Sequence, residues 1–155
     1  MEPLITIITP SFQQARFLRA CLDSVLNQDY PNLEYLVMDG GSTDGSVEIL
    51  KSYGDRFVWS SGPDGGQAAA INAGIRRSRG AILGYLNSDD TLLPGALQAV
   101  ASAFASNPKV YGIYGDAELI DVSGGVIGTN PNRAFEETDY VGDCYICQPA
   151  AFWRR

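Results

Sequence analysis

Residues 81–90 read Ala-Ile-Leu-Gly-Tyr-Leu-Asn-Ser-Asp-Asp, an apolar segment that passes directly into four polar residues. The apolar part is typical of a buried strand, and a helix is predicted to begin soon afterwards, near Pro94. Two adjacent carboxylates raise each other's pKa unless a cation or hydrogen bonds offset the repulsion. Mg²⁺ is commonly held by one or two carboxylates together with substrate phosphates. The stretch therefore has two interpretations: a metal–diphosphate site, or an ordinary strand-to-helix turn, which Asn, Ser and Asp also favour.

The composition indicates one acidic globular domain, residues 1–155. Apolar residues make up 45% of the chain and charged residues 19%, and the net charge is -7. This balance argues against a nucleic-acid-binding surface, which needs a basic patch. No apolar run reaches the roughly 18 residues of a transmembrane helix, and the N-terminus lacks the basic start of a signal peptide. We therefore expect a cytoplasmic protein with no transmembrane segment in this chain.

Histidine is absent from the sequence, which excludes Ser-His-Asp hydrolases, Cys-His proteases and zinc sites with imidazole ligands. Acid–base chemistry would fall to Asp, Glu, Tyr, Lys or Cys. Cys144 and Cys147 form a C-x-x-C pair in a segment that is predicted to be extended, not at a helix start. Buried structural thiols are therefore favoured over a redox or metal-binding pair.

Hydrophobic patterning predicts strands that alternate with helices. The predicted strands are residues 4–9, 33–38, 57–60, 81–86 and 110–120, the last interrupted by glycines, and 126–128 follows a turn. The predicted helices are residues 17–26, 47–53, 67–78 and 94–105, and Pro149 is predicted to open a last helix. This alternation predicts an α/β fold with a mostly parallel sheet, right-handed crossovers and helices on both faces.

Polar or glycine-containing segments follow four of the predicted strands. They are Thr9-Pro10-Ser11, Asp39-Gly40-Gly41, the loop with Asp64, and Asn87 to Asp90. Ligands of such sheets bind outside the carboxyl ends of the strands, and glycine lets the backbone approach them closely. The convergence favours the metal–nucleotide interpretation. G-x-G-x-x-G and P-loop motifs are absent, so phosphate recognition would come through the metal and the backbone.

Four segments, in this order and spacing, resemble those of family 2 glycosyltransferases with a GT-A fold: residues 8–12, 39–46, 64–75 and 86–90. The resemblance covers nearly the whole chain. It implies a GT-A, Rossmann-like domain that transfers a sugar from a nucleoside diphosphate sugar to an acceptor hydroxyl, with inversion and with Mg²⁺ or Mn²⁺. The implied acceptor is a carbohydrate or a lipid-linked sugar, as in cell-wall or polysaccharide biosynthesis, and the full-length protein would work at the inner face of the membrane.

The resemblance also implies roles for single residues. The nucleotide-binding positions are Thr9, Pro10, Ser11, Asp39, Asp64, Gln67, Asn87 and Ser88. Asp89 is implied as the direct metal ligand and Asp90 as a weaker or indirect one. The D-x-D motif of the family has Asn87 at its first position here, which can hydrogen-bond but adds no charge. Asp39 could instead form a turn and Gln67 a helix cap, and for Asp44 a helix N-cap is favoured.

No residue of the chain matches the catalytic-base motif of the family, and Asp116, Asp121 and Asp143 are poorly spaced substitutes. Residues 146–155 resemble the segment just before that motif, so we expect the donor-binding part of a longer protein, with the base beyond Arg155. Phe152 and Trp153 are predicted to be core residues more than acceptor-stacking ones. Two alternatives stay open: a non-catalytic nucleotide-binding fragment, and a nucleotidyltransferase, which would be expected to carry a Gly-rich phosphate loop.

Overall fold

The computed structural model describes residues 2–134 and 146–155. Within these ranges the strands are β1 (Ile5–Ser11), β2 (Leu33–Asp39), β3 (Val58–Ser61), β4 (Ile82–Tyr85), β5 (Gly112–Tyr114), β6 (Ala117–Ile120), β7 (Val126–Asn130) and β8 (Ala151–Arg154). The helices are α1 (Ala15–Leu26), α2 (Ser46–Ser52), α3 (Gln67–Arg77) and α4 (Ala96–Ser106). A 3-10 turn, Gln148–Ala150, precedes β8.

The main sheet has the strand order β3-β2-β1-β4-β8-β5. The first four strands are parallel, and β8 is antiparallel to both β4 and β5. All seven residues of β1 are buried, as expected for a central strand that is covered on both faces. The predicted α/β class and mostly parallel sheet are therefore confirmed.

Successive residues of β1 face different layers. Ile7 belongs to the larger core cluster, together with Leu18 and Leu22 of α1 and Leu97 of α4. Ile8 points to the other face, where its side chain lies against Gly74 of α3. The period-2 alternation of the strand thus places helices on both faces of the sheet, and the small residue Gly74 allows α3 to approach closely.

Two predictions near the end of the chain are wrong. The strand predicted over residues 110–120 is two strands in different sheets, because the chain leaves β8 at Gly115 and β6 pairs antiparallel with β7 instead. The helix predicted at Pro149 is only a single turn, because the residues after it form ladder hydrogen bonds with β4 and β5 as β8.

The C-x-x-C prediction falls largely outside the described residues, since Cys144 and most of the predicted extended segment lie in residues 135–145. None of the helices in residues 2–134 and 146–155 is long and apolar enough to cross a membrane.

Candidate functional site

A cleft of about 580 Å³ lies at the carboxyl ends of the parallel strands. The sequence-predicted site residues that line it are Pro10, Ser11, Asp64, Gln67, Asn87, Ser88 and Asp89. These residues come from the end of β1, two loops and one helix start, which the parallel topology brings to one edge of the sheet. The structure therefore assembles most of the predicted positions around one concavity.

Ser11 is the most informative residue of the cleft. Its side chain is only 4% exposed, and its Oγ is the one buried side-chain nitrogen or oxygen without a hydrogen-bond partner in the described part of the chain. An unpaired buried hydroxyl costs about 1–3 kcal/mol. A ligand that offered this hydroxyl a polar partner would recover that free energy, so the cleft is suited to a polar ligand.

Phe12 lines the same cleft and was not predicted as a site residue. Its side chain is 60% exposed, an unusual position for a large apolar ring. A Cβ atom on Gly40 would lie 3.3 Å from both the Phe12 ring and Asp64 Oδ2, so the absence of a side chain at residue 40 keeps this part of the cleft open. The available signal was an aromatic residue in the otherwise polar segment after β1.

Thr9 and Asp39 lie behind the cleft wall instead of lining it. Thr9 Oγ1 is 3.0 Å from the hydroxyl of Tyr35 in the core beneath α1. The Asp39 carboxylate accepts hydrogen bonds from the Gly41 and Ser42 N–H groups, at 3.0 and 2.9 Å, and from the Ser42 and Ser61 hydroxyls, both at 2.6 Å. Asp39 thus forms the turn that shapes the Gly40-Gly41 loop, and its nucleotide-binding role stays a prediction.

Asp44 also has a structural role. Its carboxylate accepts from the Ser46 hydroxyl at 2.7 Å and the Ser46 N–H at 3.1 Å, and from the Ala15 N–H at 2.8 Å. These hydrogen bonds, that of the Ser46 hydroxyl first, lower the pKa of Asp44. The N-cap residue of α2 is Gly45, so the predicted N-cap at Asp44 is wrong by one residue. Asp44 lies directly before the cap and accepts hydrogen bonds from the first residue of α1 and the first residue of α2.

Residues 87–90 form a turn in which the Asp90 N–H donates to the Asn87 carbonyl at 3.0 Å. The Cys21 thiol donates to the same carbonyl at 3.4 Å from below. Asp89 is exposed at the cleft, whereas Asp90 is partly buried. Burial, and secondarily the charge of Asp89, raises the pKa of Asp90, while a hydrogen bond from Asn87 acts in the opposite direction. The stretch is therefore both a turn and a place where carboxylates repel each other.

A second cavity of about 520 Å³ lies on the other side of this turn. Asp90, Asp116 and Glu118 line it, together with mainly apolar residues of α4, β5 and β6 and the segment 149–152. Phe152 at its edge is 5% exposed, and a Cβ atom on Gly84 would lie 2.7 Å from its ring. The predicted core role of Phe152 is confirmed. Trp153 is partly buried, with its ring 6.4 Å from that of Tyr85.

The acidic residues at the turn are few. Within residues 2–134 and 146–155, no three carboxylate or thiol side chains lie close enough together to hold a metal ion by themselves. Asp89, with Asp90 beside it, could supply one or two oxygen ligands. Mg²⁺ commonly takes the rest of its ligands from substrate phosphates and water, so this donor set fits a cation that binds together with a diphosphate.

Comparisons with known proteins agree with this architecture. The family model described as glycosyl transferase family 2 matches residues 6–138. The chain is 33% identical over 133 residues to chondroitin synthase of Pasteurella multocida, a match that covers 84% of this chain and 14% of that protein.

Among solved structures, S. aureus TarS 1-349 in complex with UDP-GlcNAc superposes with a TM-score of 0.70 at 17% identity, over 97% of this chain and 45% of that one. The mannosyltransferase PcManGT from Pyrobaculum calidifontis, in complex with GDP-Man and Mn²⁺, gives 0.68 at 20% identity, over 100% of this chain and 45% of that one. Both likenesses show the fold, and the chain spans less than half the length of each of these three proteins.

Proposed function

Because the chain belongs to glycosyl transferase family 2, we propose that residues 1–155 form one GT-A-type domain that binds a nucleoside diphosphate sugar and serves its transfer to an acceptor hydroxyl. The observation that carries the proposal is the unpartnered Ser11 hydroxyl, buried in the wall of a cleft that Asp89 also lines. The family membership supports this proposal over the nucleotidyltransferase alternative.

The nucleotide would lie along the cleft with its base near β1. The exposed ring of Phe12 offers a flat apolar surface, and Ser11 Oγ offers a polar partner within reach of the same ligand. Aromatic rings commonly stack on nucleobases. Asp64 and Gln67 would contact polar groups of the nucleotide, whereas Thr9 and Asp39 would act only by holding the cleft wall in place.

The diphosphate would lie near Asp89, which would help to hold a Mg²⁺ or Mn²⁺ ion there. Asp89 would be the direct ligand and Asp90 a weaker or indirect one, as the exposure of the two side chains favours. When bound, such a cation supplies positive charge that offsets the charge on the leaving diphosphate. A complex of PcManGT that contains GDP-Man and Mn²⁺ supports this choice of cofactor by analogy.

The proposed reaction is an inverting displacement. The acceptor oxygen forms a bond to the anomeric carbon while the bond from that carbon to the diphosphate oxygen breaks, and the acceptor proton goes to a carboxylate base. We assign the base to none of the described residues. Asp116 Oδ1 already accepts two hydrogen bonds from Asn132, and Asp121 Oδ1 accepts from Ser123 and Gly125. Asp143 lies outside the described residues.

The acceptor would be a carbohydrate or a lipid-linked sugar. The similarity to chondroitin synthase, by its name a polysaccharide-forming enzyme, supports a role in polysaccharide synthesis. The cytoplasmic location expected from the sequence stays a prediction.

Calorimetric titration of the purified chain with UDP, GDP and dTDP, with and without Mn²⁺, tests the proposal. We expect one nucleotide to bind, with an affinity that rises at least about tenfold with Mn²⁺ and falls by a similar factor in Asp89→Ala. Asp55→Ala is the matched control, because Asp55 is an exposed aspartate just before β3, at the amino ends of the parallel strands and not at the carboxyl ends where the cleft lies. Absence of metal-dependent binding, or full binding by Asp89→Ala, would overturn the proposal.

Transfer or hydrolysis of the nucleotide sugar that binds best is then measured with the same chain. Binding without turnover would favour the fragment interpretation, in which this domain supplies the donor site and another segment the base. Turnover by residues 1–155 alone would contradict the expectation that the base lies beyond Arg155.

A further inference from the structure

Three side-chain amides form a continuous hydrogen-bonded chain across the carboxyl end of β4. Gln67 Nε2 donates to Asn87 Oδ1 at 2.6 Å, and Asn87 Nδ2 donates to Gln148 Oε1 at 2.8 Å. Gln148 Nε2 then donates to the carbonyl oxygen of Tyr85, which is the last residue of β4, also at 2.6 Å. We call Gln67, Asn87 and Gln148 the amide relay.

The amide relay joins parts of the molecule that are distant in sequence. Gln67 is the first residue of α3 and lines the nucleotide cleft. Asn87 opens the turn that carries Asp89. Gln148 lies in the 3-10 turn before β8, next to Pro149 and Ala150, which line the second cavity. The relay therefore extends from the cleft to the second cavity, and its middle residue, Asn87, belongs to the turn that carries Asp89.

Asn87 needs an amide for this arrangement. Its carbonyl oxygen accepts from one glutamine and its amino group donates to the other, so both functional groups are engaged within the protein. An ionised aspartate has only acceptors and could not donate to Gln148 Oε1. Asn87, where the D-x-D pattern has aspartate, is thus matched by Gln148, whose Oε1 accepts the hydrogen bond that an amide at residue 87, unlike an ionised aspartate, can donate.

We propose that Gln148 is a positioning residue which, through Asn87, fixes the turn that presents Asp89 to the cleft, and that Asn87 is not itself a metal ligand. The main chain of the turn is held by Cys21 from below and by its own Asp90–Asn87 hydrogen bond. The side chains of the turn are held by the amide relay and by the hydrogen bond from Asn87 to Asp90. This inference rests on the proposed function, because it assigns Asp89 the cation.

The test variant is Gln148→Met, which keeps the length of the side chain and removes both of its hydrogen bonds. Gln98→Met is the matched control, since Gln98 is exposed on α4. We expect Gln148→Met to weaken UDP or GDP binding about three- to tenfold in the presence of Mn²⁺ and to leave metal-free binding within about twofold. A purely structural residue would lower the unfolding midpoint without changing the dependence on Mn²⁺.

A double-mutant cycle with Asn87→Asp shows whether Gln148 acts through Asn87. If it does, the double variant binds the Mn²⁺–nucleotide no more than about twofold more weakly than the worse single variant. Full additivity of the two losses would overturn the inference. So would tighter Mn²⁺-dependent binding by Asn87→Asp, because residue 87 would then be a ligand position that gains from a negative charge.

Hydrogen–deuterium exchange provides a readout that does not depend on any ligand. Gln148→Met should speed exchange of the Asp90 N–H, which is bonded to the Asn87 carbonyl, whereas Gln98→Met should not. Equal protection of the Asp90 N–H in both variants would overturn the inference even if Gln148→Met weakens nucleotide binding. If the unmodified chain shows no Mn²⁺-dependent nucleotide binding, the proposed function fails and this inference fails with it, whatever the exchange result.

Discussion

Asp89 and Asp90 are consecutive in the chain, yet they line different cavities: Asp89 the cleft at the carboxyl ends of the parallel strands, and Asp90 the mainly apolar cavity lined by α4, β5 and β6. The turn at residues 87–90 places the two residues at different cavities, while the charge of Asp89 remains close enough to contribute to the raised pKa of Asp90, after burial. The two carboxylates therefore differ in both location and exposure, and only the exposed one, Asp89, lines the cleft in which the diphosphate is proposed to bind.

Asp90→Asn is expected to stabilise the fold at neutral pH. A folded-state pKa raised above the unfolded value, which is near 3.8, means that ionised Asp90 costs stability, and this cost is complete only above the folded pKa. Urea unfolding at several pH values should give Asp90→Asn the higher midpoint at pH 7 and the same midpoint as the unmodified chain below about pH 3.8. A lower midpoint at pH 7 would show that the charge of Asp90 stabilises the turn.

Ser11→Ala is expected to separate binding from stability. The substitution removes an unpaired buried hydroxyl, so the unfolding midpoint should stay the same or rise. Nucleotide affinity should fall about five- to tenfold, because the ligand loses one hydrogen-bond partner in the cleft. Ser106→Ala, at the exposed end of α4, is the control for both measurements. Unchanged affinity in Ser11→Ala would remove Ser11 from the site.

Asp39→Asn is expected to lower the free energy of unfolding by about 1–3 kcal/mol. The carboxylate accepts hydrogen bonds from four donors, and an asparagine would turn its own amino group toward one or two of them. Equilibrium urea unfolding measures the loss. Asp55→Asn, at an exposed aspartate, should change the free energy by less than about 0.5 kcal/mol. Equal stability of the two variants would contradict the structural role of Asp39.

The interactions of Glu34 are expected to make the free energy of unfolding decrease as the pH falls below about 4.5. Burial raises the pKa of this carboxyl. Hydrogen bonds from the Thr6 hydroxyl and from the N–H and guanidinium groups of Arg79 lower the pKa by more than burial raises it, so the pKa lies below the usual 4.5. A lowered folded pKa gives stability that is present above the unfolded pKa and lost as the pH falls through the folded value.

The difference in unfolding free energy between the unmodified chain and Glu34→Gln should therefore be greatest above pH 4.5 and shrink below it. Urea unfolding of both proteins between pH 3 and pH 7 measures this difference. A difference that stays constant across this range would contradict the assignment.

Gly84→Ala is expected to destabilise the fold by about 1–3 kcal/mol. A Cβ atom there would lie 2.7 Å from two ring carbons of Phe152, so β4 and β8 would have to move apart. Gly62→Ala is the control, because a Cβ at Gly62 meets nothing within 4 Å. Thermal unfolding of the two variants measures the difference, and a Gly84→Ala protein as stable as Gly62→Ala would contradict this packing of β8 on β4.

Strand and helix order up to α4 could be predicted from the sequence because each element there has a clear hydrophobic period. β1 is mainly apolar and β-branched, and α1 buries Leu18, Cys21, Leu22 and Val25 at helical spacing. In the region of β5 to β8 a strand was predicted at residues 126–128, where β7 lies, but the division of residues 110–120 between two sheets and the strand β8 were not predicted. β8 pairs with strands that are distant from it in the sequence, which a local pattern does not show.

The cleft could be predicted as a location, since polar residues after parallel strands must meet at one sheet edge. The direction of individual side chains could not. Thr9 and Ser11 are two residues apart, yet one is bonded to Tyr35 in the core and the other is left without a partner at the cleft. The partnership of Asn87 with Gln148, 61 residues away, has no local signature at all.

The position of β8 between β4 and β5 has a consequence for the order in which the sheet forms during synthesis. Residues 5–85 carry all four parallel strands and can pair as soon as they leave the ribosome. Among the described strands β5 pairs only with β8, so this edge strand must wait until about 37 further residues have been made. Nascent chains released between residues 115 and 150 would thus carry a four-stranded sheet that is open at β4 as well as at β3, and the β4 edge could pair with a chaperone or a neighbouring chain until β8 covers it.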